Sequence, residues 1–211
     1  MTSQLELYNK ALAHFGERKL ASLSENVEAR RALDDVYDAA WLSCLEDGDW
    51  HFARRTIIID AETDAAPEFG YAYLFAQPED DWVKLYALSA DEMMSQPLNE
   101  YVNENGYFRA NVEPIYVTYI SKHADFGLNL AKWPAYFADF VAVDMANRCS
   151  FRITQDKALR DTIRVEREKA RKKAASRDAQ QGPPLRQPTG TWARSRRRGS
   201  LQGIYSYGLN R

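Results

Sequence analysis

Apolar residues at helical or alternating spacing run through this chain as far as Val165 and then stop. Everything before that point can bury a core. Residues 166–181 are almost wholly polar, with good helix formers and opposite charges at helical spacing, so they can extend a helix but bury little. From Gly182 the pattern breaks again, with Gly182-Pro183-Pro184 and then Pro188-Thr189-Gly190. The residues beyond cannot bury enough apolar surface to fold alone. The chain therefore divides into a body over 1–181 and an extended basic C-terminal arm over 182–211.

Charge divides in nearly the same way. Residues 1–150 hold 12 Lys and Arg against 25 Asp and Glu, a net of −13. Residues 151–211 hold 16 against 5, a net of +11, so the formal −2 of the whole chain conceals a split. An acidic body repels a nucleic-acid backbone, whereas a basic arm seeks phosphate, carboxylate or an acidic protein surface. The hydrophobic content of 45% excludes a wholly disordered chain. No apolar run approaches the roughly 20 residues of a membrane span. The opening residues show no basic and apolar leader pattern, so no secretory signal is expected. Cys44 and Cys149 share no short motif with each other or with a histidine, which makes them small apolar core residues of a reducing compartment.

Local signals order the body. Leu5, Tyr8, Leu12 and Phe15 form one stripe, predicting a helix over 4–15 that stops at Gly16. Ser22-Leu23-Ser24-Glu25 matches a capping box, predicting a second helix from there to about Asp47. Thr56-Ile57-Ile58-Ile59 reads as a strand. The stretch 71–120 is aromatic and β-prone, and Asn105-Gly106 marks a tight hairpin. Trp133-Pro134 opens a third helix with Phe137, Val141 and Met145 inward, and a fourth begins near Asp156 with Leu159 and Ile163 inward. The expectation is a mainly α fold: a bundle of about four helices with a small β-rich insertion at about 54–120.

Nucleotide, zinc-protease and hydrolase motifs are absent. His14, His51 and His123 show no ligand spacing, and Glu79-Asp80-Asp81 after Pro78 suits a solvated turn better than a cation site. No cofactor, metal or catalytic residue is expected. The sharper feature is Arg194-Ser195-Arg196-Arg197-Arg198 near Trp192, Tyr205 and Tyr207. Arginine pairs bidentately with carboxylate or phosphate and stacks on aromatic rings.

One series of motifs is more specific. Ala11-Leu12, Gly16-Glu17, Ser22-Leu23-Ser24-Glu25, Ala29, Tyr37 and Trp50-His51-Phe52-Ala53 follow in order. Tyr71-Ala72-Tyr73-Leu74-Phe75 with Pro78-Glu79-Asp80, the stretch 116–125, and Trp133-Pro134-Ala135-Tyr136-Phe137 continue it. Over about 10–155 the chain resembles the head-to-tail adaptor family of tailed bacteriophages. Phe15 stands where the family usually has Leu, and Gln77 shifts the "LP" part of the family's "YAY.LP.D".

The resemblance implies a non-enzymatic virion protein of the neck, assembled in the host cytoplasm. It implies a ring, typically of twelve copies, that joins the portal protein to tail, nozzle or stopper proteins and lets genomic DNA pass. The expected portal-binding residues are Trp192, Arg194, Arg196, Arg197, Arg198, Tyr205 and Tyr207, on an arm disordered until it binds. Acidic side chains would face the lumen or outer solvent, with lateral contacts mostly apolar and polar. Two rival readings stand beside this one. The first is a nucleic-acid-binding protein that uses the basic arm, and the second a tail-borne cell-wall hydrolase that uses carboxylates.

Overall fold

In the computed structural model, residues 2–63, 67, 70–95 and 97–182 are described. Met1–Gln181 make up one unit, distinct from Gly182–Arg211. Helix α1 spans Gln4–Ala13 and is capped by the Ser3 hydroxyl, which accepts from the Glu6 amide. Its buried stripe is Leu7, Tyr8, Ala11 and Leu12, while Leu5 and Phe15 are half-buried at its margin. Helix α2 spans Glu28–Glu46.

The residues expected to cap α2 at Ser22 make a separate turn instead. Glu25 N–H donates to the Ser22 carbonyl at 3.3 Å. The Glu25 carboxylate accepts from the Ala21 amide at 2.9 Å and from Arg18. With those partners Glu25 bends the chain locally, and the helix waits until residue 28.

Among the described residues six strands follow: β1 Arg54–Ile59, β2 Tyr73–Ala76, β3 Trp82–Ser89, β4 Tyr101–Glu104, β5 Tyr107–Ala110 and β6 Ile115–Ser121. They form two antiparallel sheets, ordered β1-β6-β3 and β2-β5-β4. The β4–β5 hairpin turns at Asn105 and Gly106, with φ of 53° and 77°. Two successive positive φ values define the turn that matches strand twist, and Asn-Gly tolerates them best. Helix α3 spans Ala135–Ile153 after Pro134, and α4 spans Lys157–Ala179, its Asp156 side chain accepting from the Ala158 amide at 2.8 Å.

This architecture is an α+β fold, which corrects the mainly α bundle. Among the described residues, helices account for 44% and strands for 19%. The strands are a layer with a core of their own, not a small insertion. Phe75 and Phe108 of one sheet join Leu88, Ile115, Val117 and Tyr119 of the other in one buried cluster. Trp82 bridges them, 5.7 Å from the Phe108 ring and stacked at 4.9 Å on Tyr119. The alternation along β6 explains how both cores share one strand. Its odd residues face the second sheet, while Ile120 enters the helical core with Ala53, Leu45 and Phe137.

Helix α3 is the centre of the helical layer. Phe137, Val141 and Met145 are fully buried, as their spacing predicts, and so are Ala138, Phe140 and Ala146 on its other sides. A helix covered on several sides carries apolar residues around most of its circumference. No helix among the described residues is long and apolar enough to cross a membrane.

Candidate functional site at the root of the arm

The expected portal-binding residues Trp192, Arg194, Arg196, Arg197, Arg198, Tyr205 and Tyr207 lie outside the described residues. What the structure does place is the point where the arm begins, at the C-terminal end of α4. Helix α4 is polar along most of its length and buries only Ile163, Ala174 and Asp178. Polar contacts must therefore hold it to the body.

The first of these contacts is built by Trp50-His51-Phe52-Ala53 at the exit of α2. A 3-10 turn over His51–Ala53 sends Trp50 inward, where its indole N–H donates to the Cys44 carbonyl at 2.8 Å. The same turn points His51 at Asp178. The His51 backbone N–H lies 3.2 Å from both carboxylate oxygens, and its Nδ1 lies 2.8 Å from Oδ2. Tyr136, at the start of α3, donates its hydroxyl to Oδ1 at 2.9 Å. Burial, and then the Asp178 bond, raise the Tyr136 phenol above its ordinary range, so it remains a donor. Asp178 is 4% exposed, and its donors from α3 and the turn fix the last turn of α4. Clefts of about 360 and 340 Å³ flank this clamp; His51 lines both, and Gln181 lines the second.

A second clamp lies farther up α4. Asp144 of α3 is 1% exposed and accepts from Arg148 Nε at 2.5 Å and Arg167 Nε at 2.6 Å. The Arg167 guanidinium also reaches Asp47 at 3.0 Å and Glu168 at 2.9 Å. Burial disfavours the Arg167 charge, but hydrogen bonding and attraction to Asp144 outweigh it and raise its pKa. In the sheets, Asp81 accepts from Arg55 at 2.7 Å, Tyr119 at 3.0 Å and Ser121 at 2.9 Å. Burial alone would raise the Asp81 pKa, yet these donors together hold it below the usual carboxylate range.

These three buried carboxylates are occupied by donors of the chain itself, so their chemistry is structural anchoring. Both cysteines are buried and free. Burial pushes the Cys44 thiol well up and the Cys149 thiol to about 12, which keeps the weak nucleophilic form. Glu79 and Asp80 sit exposed in a turn, whereas their neighbour Asp81 is turned inward. Groups of three or more His, Cys, Asp or Glu side chains placed to hold a metal do not occur among the described residues.

Sequence reasoning missed Asp144 and Asp178 as anchors. A signal for Asp144 was present, because a lone charge between Val143 and Met145 interrupts an apolar helical stretch and demands a partner. Asp178 gave none, since in a polar helix one acid looks like any other.

Motif residues of two separated stretches, 50–53 and 133–137, meet beside the Asp178 clamp. The Phe137 ring lies 5.0 Å from Trp50, 4.8 Å from Phe52 and 4.9 Å from Trp133. No family model and no curated protein sequence matches this chain.

Proposed function

We propose that this chain is a head-to-tail adaptor of a tailed-phage neck, forming a ring between portal and tail proteins through which genomic DNA passes. The observation that carries this reading is the convergence of the spaced motifs. Trp50 and Phe52 come from one stretch and Trp133 and Phe137 from another some 80 residues on, and the other three rings pack around Phe137. His51, inside the same series, holds the helix from which the basic arm departs. A rigid root suits an arm that must be aimed at a partner before it binds.

The arm then acts as the portal ligand, with Trp192, Tyr205 and Tyr207 as anchors and Arg194, Arg196, Arg197 and Arg198 as partners for portal carboxylates. Several weak arms on one ring hold by avidity. The acidic surplus of the body faces the lumen or solvent, where it repels phosphates and lets a duplex slide.

The test is co-sedimentation with the cognate portal ring, comparing the full chain with one ending at Gln181. Binding that the truncation weakens supports the adaptor. Failure of both to bind the portal, with duplex DNA bound by the full chain and lost on truncation, replaces it with the nucleic-acid reading.

A further inference from the structure

The seam between α3 and α4 carries a face that contacts within the body leave open. Phe151 meets Arg160 and Asp144 meets Arg167, so the two helices run antiparallel, and one side of both is defined by these pairs. There Asp144, Asn147, Arg148, Arg164, Arg167 and Glu168 line a cleft of about 560 Å³. Arg167 has every edge of its guanidinium on a carboxylate. Arg148 gives only Nε to Asp144, and Arg164 is exposed with no hydrogen-bond or ion-pair partner among the described residues. Nearby, Phe151 is 77% exposed, with the Arg160 guanidinium 5.1 Å from its ring centre.

Exposed aromatic and arginine side chains beside an open cleft have the composition of an interaction hot spot. The planar forks of Arg148 and Arg164 suit carboxylates. Three arginines against Asp144 and Glu168 leave the cleft with a net positive charge of one, enough for a short acidic turn and too little for a polyphosphate. The body has carboxylates to offer, with 30 acidic against 22 basic residues in 1–181. Among them Glu79 and Asp80 stand together, exposed and without an ion pair among the described residues, in the turn between β2 and β3. The next residue, Asp81, is buried and tied to Arg55, Tyr119 and Ser121, so the turn is held at its base.

We propose that the Arg148–Arg164 cleft receives the Glu79-Asp80 turn of a second copy of this chain. Cleft and turn are different surfaces, so the contact is heterologous and repeats around a ring until it closes. The inference rests on the ring in the proposed function, and adds one charged contact to lateral contacts expected to be mostly apolar and polar.

Two full-length chains test it, one carrying Glu79→Cys and the other Arg164→Cys. Mixed and oxidised, free and on portal rings, they should give the mixed disulfide dimer about tenfold above either chain alone, through proximity. Cys44 and Cys149 are buried and contribute little background. Sedimentation velocity supplies a charge swap. Arg164→Glu should weaken self-association about tenfold, as should the pair Glu79→Arg and Asp80→Arg, and one chain carrying all three should recover. Arg164 holds no partner in the body, so its replacement leaves the fold intact. Absence of the mixed dimer in both settings, or a triple variant no better than the single swaps, overturns the proposal. A chain that fails to bind portal rings yet still forms the mixed dimer removes the adaptor reading and leaves this contact standing.

Discussion

At the scale of single residues, side chains with two duties carry the body. Trp50 is 1% exposed and fills the space between α2 and α3 while its N–H occupies a helix carbonyl. Trp50→Ala should cost about 3–5 kcal/mol, the range for a large buried aromatic, and urea unfolding at neutral pH measures it. Gly127 is set by a close approach. A Cβ there would lie 2.2 Å from the Ser121 carbonyl oxygen, while its own carbonyl accepts the Trp133 N–H at 2.7 Å. Asp81 gives the sheets a pH dependence with a definite sign. Its folded pKa is depressed, so its contribution is complete above the unfolded value of about 4 and fades as pH falls through the folded value. Asp81→Asn should therefore lower stability at pH 7 and flatten the loss of stability below about pH 4. Urea midpoints at pH 7 and pH 3 for the two proteins check both halves; parallel losses on acidification would reject Asp81 as a source.

At the scale of elements, α4 poses the sharpest question, because a polar helix of 23 residues lies against the body with three buried positions. Asp178 and Asp144 answer it, and they differ in kind from surface pairs. Arg152 also bridges elements, reaching Glu28 and Asp35 of α2, but all three side chains are exposed, and water and salt screen the pairs. Asp144→Ala removes the acceptor shared by Arg148 and Arg167, but Arg167 keeps Asp47 and Glu168 and Arg148 reaches solvent, so the cost should be about 1–3 kcal/mol. Asp178→Ala should act locally instead. It leaves His51 and Tyr136 without an acceptor, frays the last turns of α4 and raises amide exchange over 174–181 at a cost of about 1–3 kcal/mol. Exchange confined to its wild-type rate over those residues would show that Ala174 and its neighbours hold the end alone. Much of this layer was legible beforehand. Pro134 with the Phe137, Val141, Met145 stripe marked α3, Asp156 marked the start of α4, and Asn105-Gly106 marked the hairpin, because each signal is local. The capping box at Ser22 misled, since Glu25 finds Ala21 and Arg18 before it can close a helix. The division into two sheets was hidden for another reason. Strand β1 pairs with β6 and β2 with β5, across separations that no local pattern records.

At the scale of the whole molecule, charge is sorted along the chain. Residues 1–181 carry a net −8, and 182–211 carry six arginines and no acid, a net +6. The candidate binding residues of the arm belong to the second part. Composition made them legible as a class, and no local pattern in 182–211 specifies how they engage a partner. The sorting has a measurable consequence for docking. If the arm engages portal carboxylates, its arginines act through screened attraction, and affinity falls as the Debye length shrinks from about 10 Å at 0.1 M salt to 3 Å at 1 M. Replacing Arg194, Arg196, Arg197 and Arg198 by Ala should weaken docking at low salt and leave the remainder nearly insensitive to salt. The anchors Trp192, Tyr205 and Tyr207 should behave oppositely. Their replacement by Ala should weaken docking by a similar factor at every salt concentration, because apolar burial is not screened. Portal co-sedimentation from 0.05 to about 1 M salt separates the two classes. Arginine variants with the same salt dependence as the intact chain would reject the arm as the source of the electrostatic contact.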